Sequence, residues 1–149
     1  MPELLSHDDY KAIARSLSLP TAAYIDGKFQ GAIGGSTMDS IDPATGQVLA
    51  TLTACDARDV DYAVEKAREA FERGHWSKAH PRERKEAMIR LVKLMKRRRH
   101  ELAVAESLDS GKPISECAQT DVPETLNCLL WHAEACDKLY DPVTPAQAA

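Results

Sequence analysis

Three side chains at helical spacing are the first residues in this sequence that could carry chemistry. Cys128, His132 and Cys136 are each four residues apart in a stretch with helical periodicity, so a helix would place them on one side. Thiolates and imidazoles bind soft or borderline metals, and paired thiols support redox reactions. Ligands spread over two turns rarely converge on one tetrahedral ion, so we favour semi-buried helix positions and keep the metal or redox site as an alternative.

The other two cysteines give no further site. Cys55 and Cys117 sit near the ends of predicted elements, and we interpret both as small apolar residues. The four cysteines have no spacing typical of a disulfide framework. The acidic start of the chain, Met1-Pro2-Glu3, does not resemble a signal peptide. These features predict a reducing, cytoplasmic environment.

A glycine-rich segment at residues 31–35 (GAIGG) superficially resembles a phosphate-binding loop. Such a loop opens a helix, whereas this segment precedes a predicted strand. We therefore predict a flexible connector.

A basic run at residues 96–100 (KRRRH) stands out in a chain of formal net charge −4. We expect a solvated helix face paired with Glu101 or Glu106 rather than a nucleic-acid patch. The cluster of Glu83, Arg84 and Glu86 likewise predicts an exposed helix surface. No apolar run approaches the ~20 residues that span a bilayer. Neither a nucleic-acid partner nor a membrane partner is expected.

The first half of the chain predicts a helix and two hairpins. Residues 6–18 have Ser6 as N-cap and Asp9 three positions later, which is close to a capping box. Residues 23–25 and 28–30 flank a tight Asp-Gly turn. Strands at 37–41 and 47–53 are joined by a turn at 42–46, where Asp42 caps, Pro43 presets φ and Gly46 tolerates positive φ.

The second half predicts three long helices. The first begins after Asp56, an N-cap with Asp59 three positions later, and ends at Gly74. It has one apolar face, formed by Val60, Ala63, Val64, Ala67 and Phe71. The second begins at Pro81, breaks near residues 99–100 and ends at residues 111–113; its apolar positions include Met88, Leu91 and Met95. The third covers residues 114–140, with a kink or restart at Pro123.

The order of several short motifs resembles the amino-terminal part of the aldehyde dehydrogenases. These are YIDGKF at 24–29, DPATG at 42–46, the helix from residue 56, Trp76-Ser77, PRER at 81–84, LDSGKP at 108–113, and residues 131–140. The resemblance covers about residues 22–140 and is nearest to enzymes that oxidise amino aldehydes. His132 stands where the family usually has Tyr, and the similarity fades after Tyr140.

The resemblance implies an α/β fold, of which this chain supplies amino-terminal helices and antiparallel strands of a Rossmann-like cofactor domain. We expect an amino-terminal helical segment at 1–21, the incomplete cofactor-binding domain at 22–140, and a tail at 141–149 without clear family similarity. The tail suggests a chain that is truncated, one product of a split gene, or an engineered end.

The resemblance also implies oxidation of an aldehyde by a cysteine nucleophile, with a glutamate base and NAD or NADP as hydride acceptor. The residues that the family uses for these steps lie beyond residue 149. We therefore assign no catalytic and no cofactor-binding residue to this chain, and expect it to be inactive and without cofactor by itself.

One site of the family falls partly within the chain. Many aldehyde dehydrogenases hold a structural alkali cation between a backbone carbonyl before the Asx-Pro turn and the aspartate of the LDSGKP-type motif. The matching positions here are Ile41 and Asp109. The alternative is that Asp109 only completes a helix end.

The expected partners are proteins that supply the family's segments beyond the position of residue 149. They are a separate carboxy-terminal dehydrogenase portion or a full-length paralogue, and self-association is expected because apolar helix faces would be exposed. A non-catalytic interaction module remains a second hypothesis, and a helical metal or redox protein using Cys128, His132 and Cys136 a third.

Overall fold

The computed structural model describes residues 4–138 as two β-hairpins and a set of packed helices. In chain order the elements are α1 His7–Ser16, β1 Ala23–Ile25, β2 Lys28–Gln30, β3 Thr37–Ile41, β4 Val48–Thr53, α2 Ala57–Arg73, α3 Pro81–Arg97, α4 Arg99–Ser110, α5 Ile114–Glu116, a π-helical segment Cys117–Asp121 and α6 Val122–Ala135. The predicted order of elements is confirmed. Residues 139–140 of the predicted third helix, and the tail at 141–149, lie outside the described residues.

The predicted helix caps are present. Ser6 and Asp9 form a capping box at the start of α1, and Asp56 and Asp59 form one at the start of α2. Each box satisfies backbone N–H groups that have no partner within the helix. Gly74 ends α2 with φ 82°, a left-handed conformation that costs glycine little.

Each hairpin is a separate two-stranded antiparallel sheet. In the β1–β2 turn Asp26 and Gly27 have φ of 51° and 77°, as a tight hairpin turn requires. The β3–β4 hairpin has a register shift between Ser40 and Ile41. This irregularity lies directly before the 42–46 turn, so it changes the direction in which the end of β3 presents its groups.

Two helix irregularities occur near the predicted positions. The break between α3 and α4 falls at Arg98, whose N–H donates to the carbonyls of both Leu94 and Met95. Pro123 cannot donate the N–H that an α-helix would direct to the carbonyl of Gln119. The π-helical segment, which ends two residues before Pro123, accommodates that loss, so the predicted kink or restart is a π-bulge.

The core is small and lies between α4, the π-helical segment and α6. Ala103, Cys117 and Val122 form its buried centre, packed against Leu102, Ile114, Ala118 and Leu126. Burial raises the pKa of the Cys117 thiol, which fits its interpretation as an apolar residue. Cys55 differs, because it is exposed in the connection between β4 and α2.

The amino-terminal helix packs onto α4 through an aromatic contact. Tyr10 is 7% exposed, and its ring centroid lies 5.9 Å from that of His100. Burial, followed by the charge of Arg99, lowers the pKa of His100. One residue of the basic run therefore takes part in packing rather than in a solvated face.

Large apolar side chains remain exposed on α2. Val60, Val64 and Phe71 are all more than half exposed, as expected for a face that lacks a partner. The apolar face predicted on α3 is exposed only in part. Leu91 is exposed, whereas Met88 is half-buried and accepts a hydrogen bond from Cys136, directly after α6. Across residues 4–138, no helix is long and apolar enough to cross a membrane.

Candidate functional site

The turn after β3 is closed by hydrogen bonds to Asp42. Its carboxylate accepts from the N–H of Ala44 and the hydroxyl of Thr45, both at 2.8 Å, and its carbonyl accepts from the N–H of Gly46 at 2.8 Å. The Thr45 hydroxyl, followed by the Ala44 N–H, lowers the pKa of the Asp42 carboxyl. The turn is thus closed by hydrogen bonds among its own residues.

The end of α4 is fixed by a second set of contacts. Gly111 has φ 75° and its N–H donates to the carbonyl of Ser107 at 3.0 Å. The Ser107 hydroxyl donates to the carbonyl of Lys112 at 2.7 Å, and the Lys112 ammonium lies 2.9 Å from a carboxylate oxygen of Asp121. Asp121 is the first cause of the raised pKa of Lys112. The LDSGKP motif is therefore held against the π-helical segment.

The turn and the helix end meet at Gly111. A Cβ built on this glycine would lie 2.8 Å from Cγ of Pro43, closer than ordinary Cβ contacts. Nearby, the hydroxyl of Ser40 lies 3.4 Å from Oδ1 of Asp109. The fold thus brings β3 beside Asp109, with Ile41 adjacent to the residue that makes the contact.

These groups suit an alkali cation. A carboxylate and backbone carbonyls are hard oxygen ligands, and Asp109 is exposed with Ser40 as its described hydrogen-bond partner. Sequence reasoning selected Ile41 and Asp109 but missed Ser40, although its hydroxyl directly before Ile41 was a visible signal. The described residues bring a hydroxyl and a carboxylate together beside the end of β3.

The three residues at helical spacing do not form one site. Nδ1 of His132 lies 2.8 Å from the carbonyl of Cys128 and 3.6 Å from its Sγ, while Cys136 donates to Met88 at 3.8 Å. Within residues 4–138, no three His, Cys, Asp or Glu side chains are placed to hold a metal ion. The metal alternative is wrong for this part of the chain, because the helix turns Cys136 towards α3.

The glycine segment is a connector, as predicted. The N–H of Ile33 donates to Oδ1 of Asp59 at 2.8 Å, and Oδ2 of Asp59 accepts from the N–H of Asp56 at 2.8 Å. The start of α2 is therefore already supplied with carboxylates, which leaves no place for a phosphate. Sequence reasoning identified Asp59 as a cap but missed its long-range contact with Ile33.

The predicted pairing of the basic run with Glu101 is confirmed, because Nε of Arg98 lies 4.0 Å from its carboxylate. Glu106, the alternative partner, contacts Lys112 instead, because the chain turns Lys112 back over the helix end. The cluster of Glu83, Arg84 and Glu86, predicted to be an exposed helix surface, is exposed at its two glutamates only. Nε of Arg84 is buried and has no hydrogen-bond partner among the described residues.

Comparisons with known proteins give a consistent result. The model of the aldehyde dehydrogenase family matches residues 30–149. The chain is similar to aminoacetaldehyde dehydrogenase of Pseudomonas aeruginosa, with 56% identity over 149 residues, covering all of this chain and 30% of that protein.

Two solved structures agree with the described fold. Gamma-glutamyl-gamma-aminobutyraldehyde dehydrogenase of Burkholderia cenocepacia superposes with a TM-score of 0.89 at 41% identity, over 96% of this chain and 29% of that chain. Indole-3-acetaldehyde dehydrogenase of P. syringae, solved with NAD+, gives a TM-score of 0.90 at 42% identity, over 97% of this chain and 29% of that chain.

This protein belongs to the aldehyde dehydrogenase family. It corresponds to the amino-terminal portion of longer family members and spans about a third of their length. The expected fold, helices and antiparallel strands of the amino-terminal region, is confirmed. The family match continues through residues 141–149.

Proposed function

We propose that this chain is the amino-terminal part of an enzyme that oxidises an amino aldehyde to a carboxylate with NAD or NADP. The observation that carries the proposal is the match along its whole length to part of an aminoacetaldehyde dehydrogenase. The P. syringae structure, solved with NAD+, supports a nicotinamide cofactor for the proposed reaction. The reaction requires the remaining two thirds of such a polypeptide, either as a separate carboxy-terminal chain or within a full-length paralogue.

The exposed face of α2 supports a partner of that kind. Val60, Val64 and Phe71 together present a large apolar surface on one helix, and burying such side chains contributes ~1.5–3 kcal/mol each. The occupant of this face is the remaining dehydrogenase portion, and in its absence a second copy of the chain.

We also propose a cytoplasmic location. The proposed division of the chain is a helical segment at 1–21, the incomplete cofactor-binding domain at 22–140 and a tail at 141–149.

We expect the chain alone to self-associate, and Val64→Asp to reduce that association, because a carboxylate on the exposed face cannot be desolvated cheaply. The measurement is sedimentation velocity over a range of concentrations. The separately produced carboxy-terminal portion of the P. aeruginosa relative should convert the oligomers of the unmodified chain into one defined complex.

Glu72→Gln is the matched control, since Glu72 is an exposed polar position on the same helix. A monomer that neither associates nor binds the carboxy-terminal portion would contradict this part of the proposal. Binding to the portion without any gain of activity would favour the non-catalytic interaction module.

We also propose that the backbone carbonyl of Ile41 and the carboxylate of Asp109 hold an alkali cation in the assembled protein. Support comes from the 3.4 Å contact between Ser40 and Asp109 and from the packing of the 42–46 turn on Gly111. A further ligand would come from the remaining part of the polypeptide.

For the cation, we expect the complex with the carboxy-terminal portion to melt at a higher temperature in potassium chloride than in choline chloride at equal ionic strength. Binding to the folded state alone stabilises it by mass action. Asp109→Asn should abolish the difference, whereas Asp39→Asn, an exposed position on β3, should retain it. A cation effect that persists in Asp109→Asn would place the site elsewhere.

A further inference from the structure

A groove between α3 and α6 combines an apolar wall with two cationic side chains. Its volume is about 490 Å³, within the range of ~300–1,000 Å³ that is usual for small-molecule sites. The apolar wall is formed by Val92, Ala118, Val122, Pro123, Leu126 and Leu130. Lys96, Arg99 and Asn127 supply the polar groups, and no acidic residue in the described part of the chain lines the groove.

The groove is bounded by fixed elements. At the start of α3, Lys85 lies 2.9 Å from Glu134 and 3.1 Å from Asp137, which ties this helix to the last turn of α6 and to the residues just after it. Val122 is 8% exposed and belongs to the core, so this part of the wall is firmly packed. The groove lies further along α3, beside the π-helical segment, in a region that helix packing holds in place.

The charges at the groove are not neutralised within residues 4–138. Arg98 pairs with Glu101, and Lys112 pairs with Asp121, but neither Lys96 nor Arg99 forms an ion pair there. Nη1 of Arg99 donates to the carbonyl of Lys96 at 3.4 Å, which uses one of the five guanidinium N–H donors.

The carboxyl end of α3 favours positive charge in general, because the helix dipole is negative there. That preference would be met equally well by cations pointing into water. It does not account for two cations that line an apolar groove while the nearby acidic residues pair with other partners.

We propose that this groove binds a monocarboxylate with an apolar body, such as a medium-chain fatty acid. The apolar wall buries the hydrocarbon part, and Lys96 and Arg99 bind the carboxylate through charge-assisted hydrogen bonds. A cationic amphiphile of the same length would meet repulsion from both side chains.

The test compares three probes by isothermal titration with the 149-residue chain. Octanoate should bind saturably below its micelle-forming concentration. Acetate, which has no apolar body, and octylammonium, which has the opposite charge, should each bind about tenfold more weakly or not at all.

Variants assign the binding to the groove. The double variant Lys96→Gln with Arg99→Gln should weaken octanoate binding about tenfold or more, because both charged donors are lost. Lys93→Gln with Arg97→Gln removes two cations of the same helix that do not line the groove, and should bind like the unmodified chain. Circular dichroism confirms that each variant is folded.

Three results would overturn the proposal: equal binding of octanoate and octylammonium, an unchanged affinity in the Lys96/Arg99 double variant, or no saturable octanoate binding.

Discussion

Purified by itself, the 149-residue chain should form no NADH from aminoacetaldehyde, betaine aldehyde or propionaldehyde. Covalent aldehyde oxidation needs a thiolate activated by a base, beside donors that stabilise the oxyanion. Cys117 is buried with a raised pKa, and Cys136 donates to Met88. Removing a single oxyanion donor typically costs about 10²–10³ in rate. This chain is expected to lack the activated thiolate, the base and the oxyanion donors together.

The two exposed thiols provide the decisive control for that result. Cys55 and Cys128 are exposed, and Sγ of Cys128 lies near His132 of its own helix. Any NADH formation by the chain alone should be tested in Cys55→Ser and Cys128→Ser. Turnover that disappears in either variant would make this chain an enzyme in its own right and would contradict the proposed function.

Gly111→Ala should destabilise the chain by more than any other single glycine-to-alanine change in the two loops of the candidate site. The left-handed backbone at φ 75° costs alanine about 1–2 kcal/mol. The new methyl group would also lie 2.8 Å from Cγ of Pro43, and such overpacking adds about 1–3 kcal/mol. The free energy of unfolding from urea titration measures the sum.

Gly46→Ala is the matched control for the Gly111 variant. Gly46 has φ 70°, but a Cβ there would meet nothing within 4 Å, so only the backbone cost remains. The difference between the two variants therefore isolates the contact with Pro43, and Gly111→Ala combined with Pro43→Ala should recover part of it. Equal losses in the two single variants would show that the turn does not pack on the helix end as described.

Local signals in the sequence were sufficient for most of the elements. Ser6 with Asp9, Asp56 with Asp59, and the glycines at 74 and 111 define helix ends through contacts within a few residues. The Asp26-Gly27 turn defines its hairpin in the same local way. Such features depend on backbone hydrogen bonds near in sequence, which is why a single sequence specifies them.

Contacts between distant segments could not be obtained in this way. Asp59 looked like a cap, but its second oxygen also holds the N–H of Ile33, 26 residues away. The 3.4 Å contact of Ser40 with Asp109 depends on how the β3–β4 hairpin lies on the end of α4. Of the two predicted partners of the basic run, Glu101 pairs with Arg98, whereas Glu106 contacts Lys112 after the chain reverses at Gly111.

The candidate site was predictable only through family resemblance. Ile41 and Asp109 are 68 positions apart, and no periodicity connects a strand end with a helix end. The motifs around them, DPATG and LDSGKP, identified the family, and the structure then brought the two segments together at Pro43 and Gly111.

The most direct test of the central claim is reconstitution of activity. The chain is mixed with the separately produced carboxy-terminal portion of the P. aeruginosa aminoacetaldehyde dehydrogenase, and NADH formation from aminoacetaldehyde is followed, with each part alone as control. We predict turnover in the mixture only, reduced by Val64→Asp and unaffected by Glu72→Gln. A stable complex of the two parts that forms no NADH would contradict the proposed function.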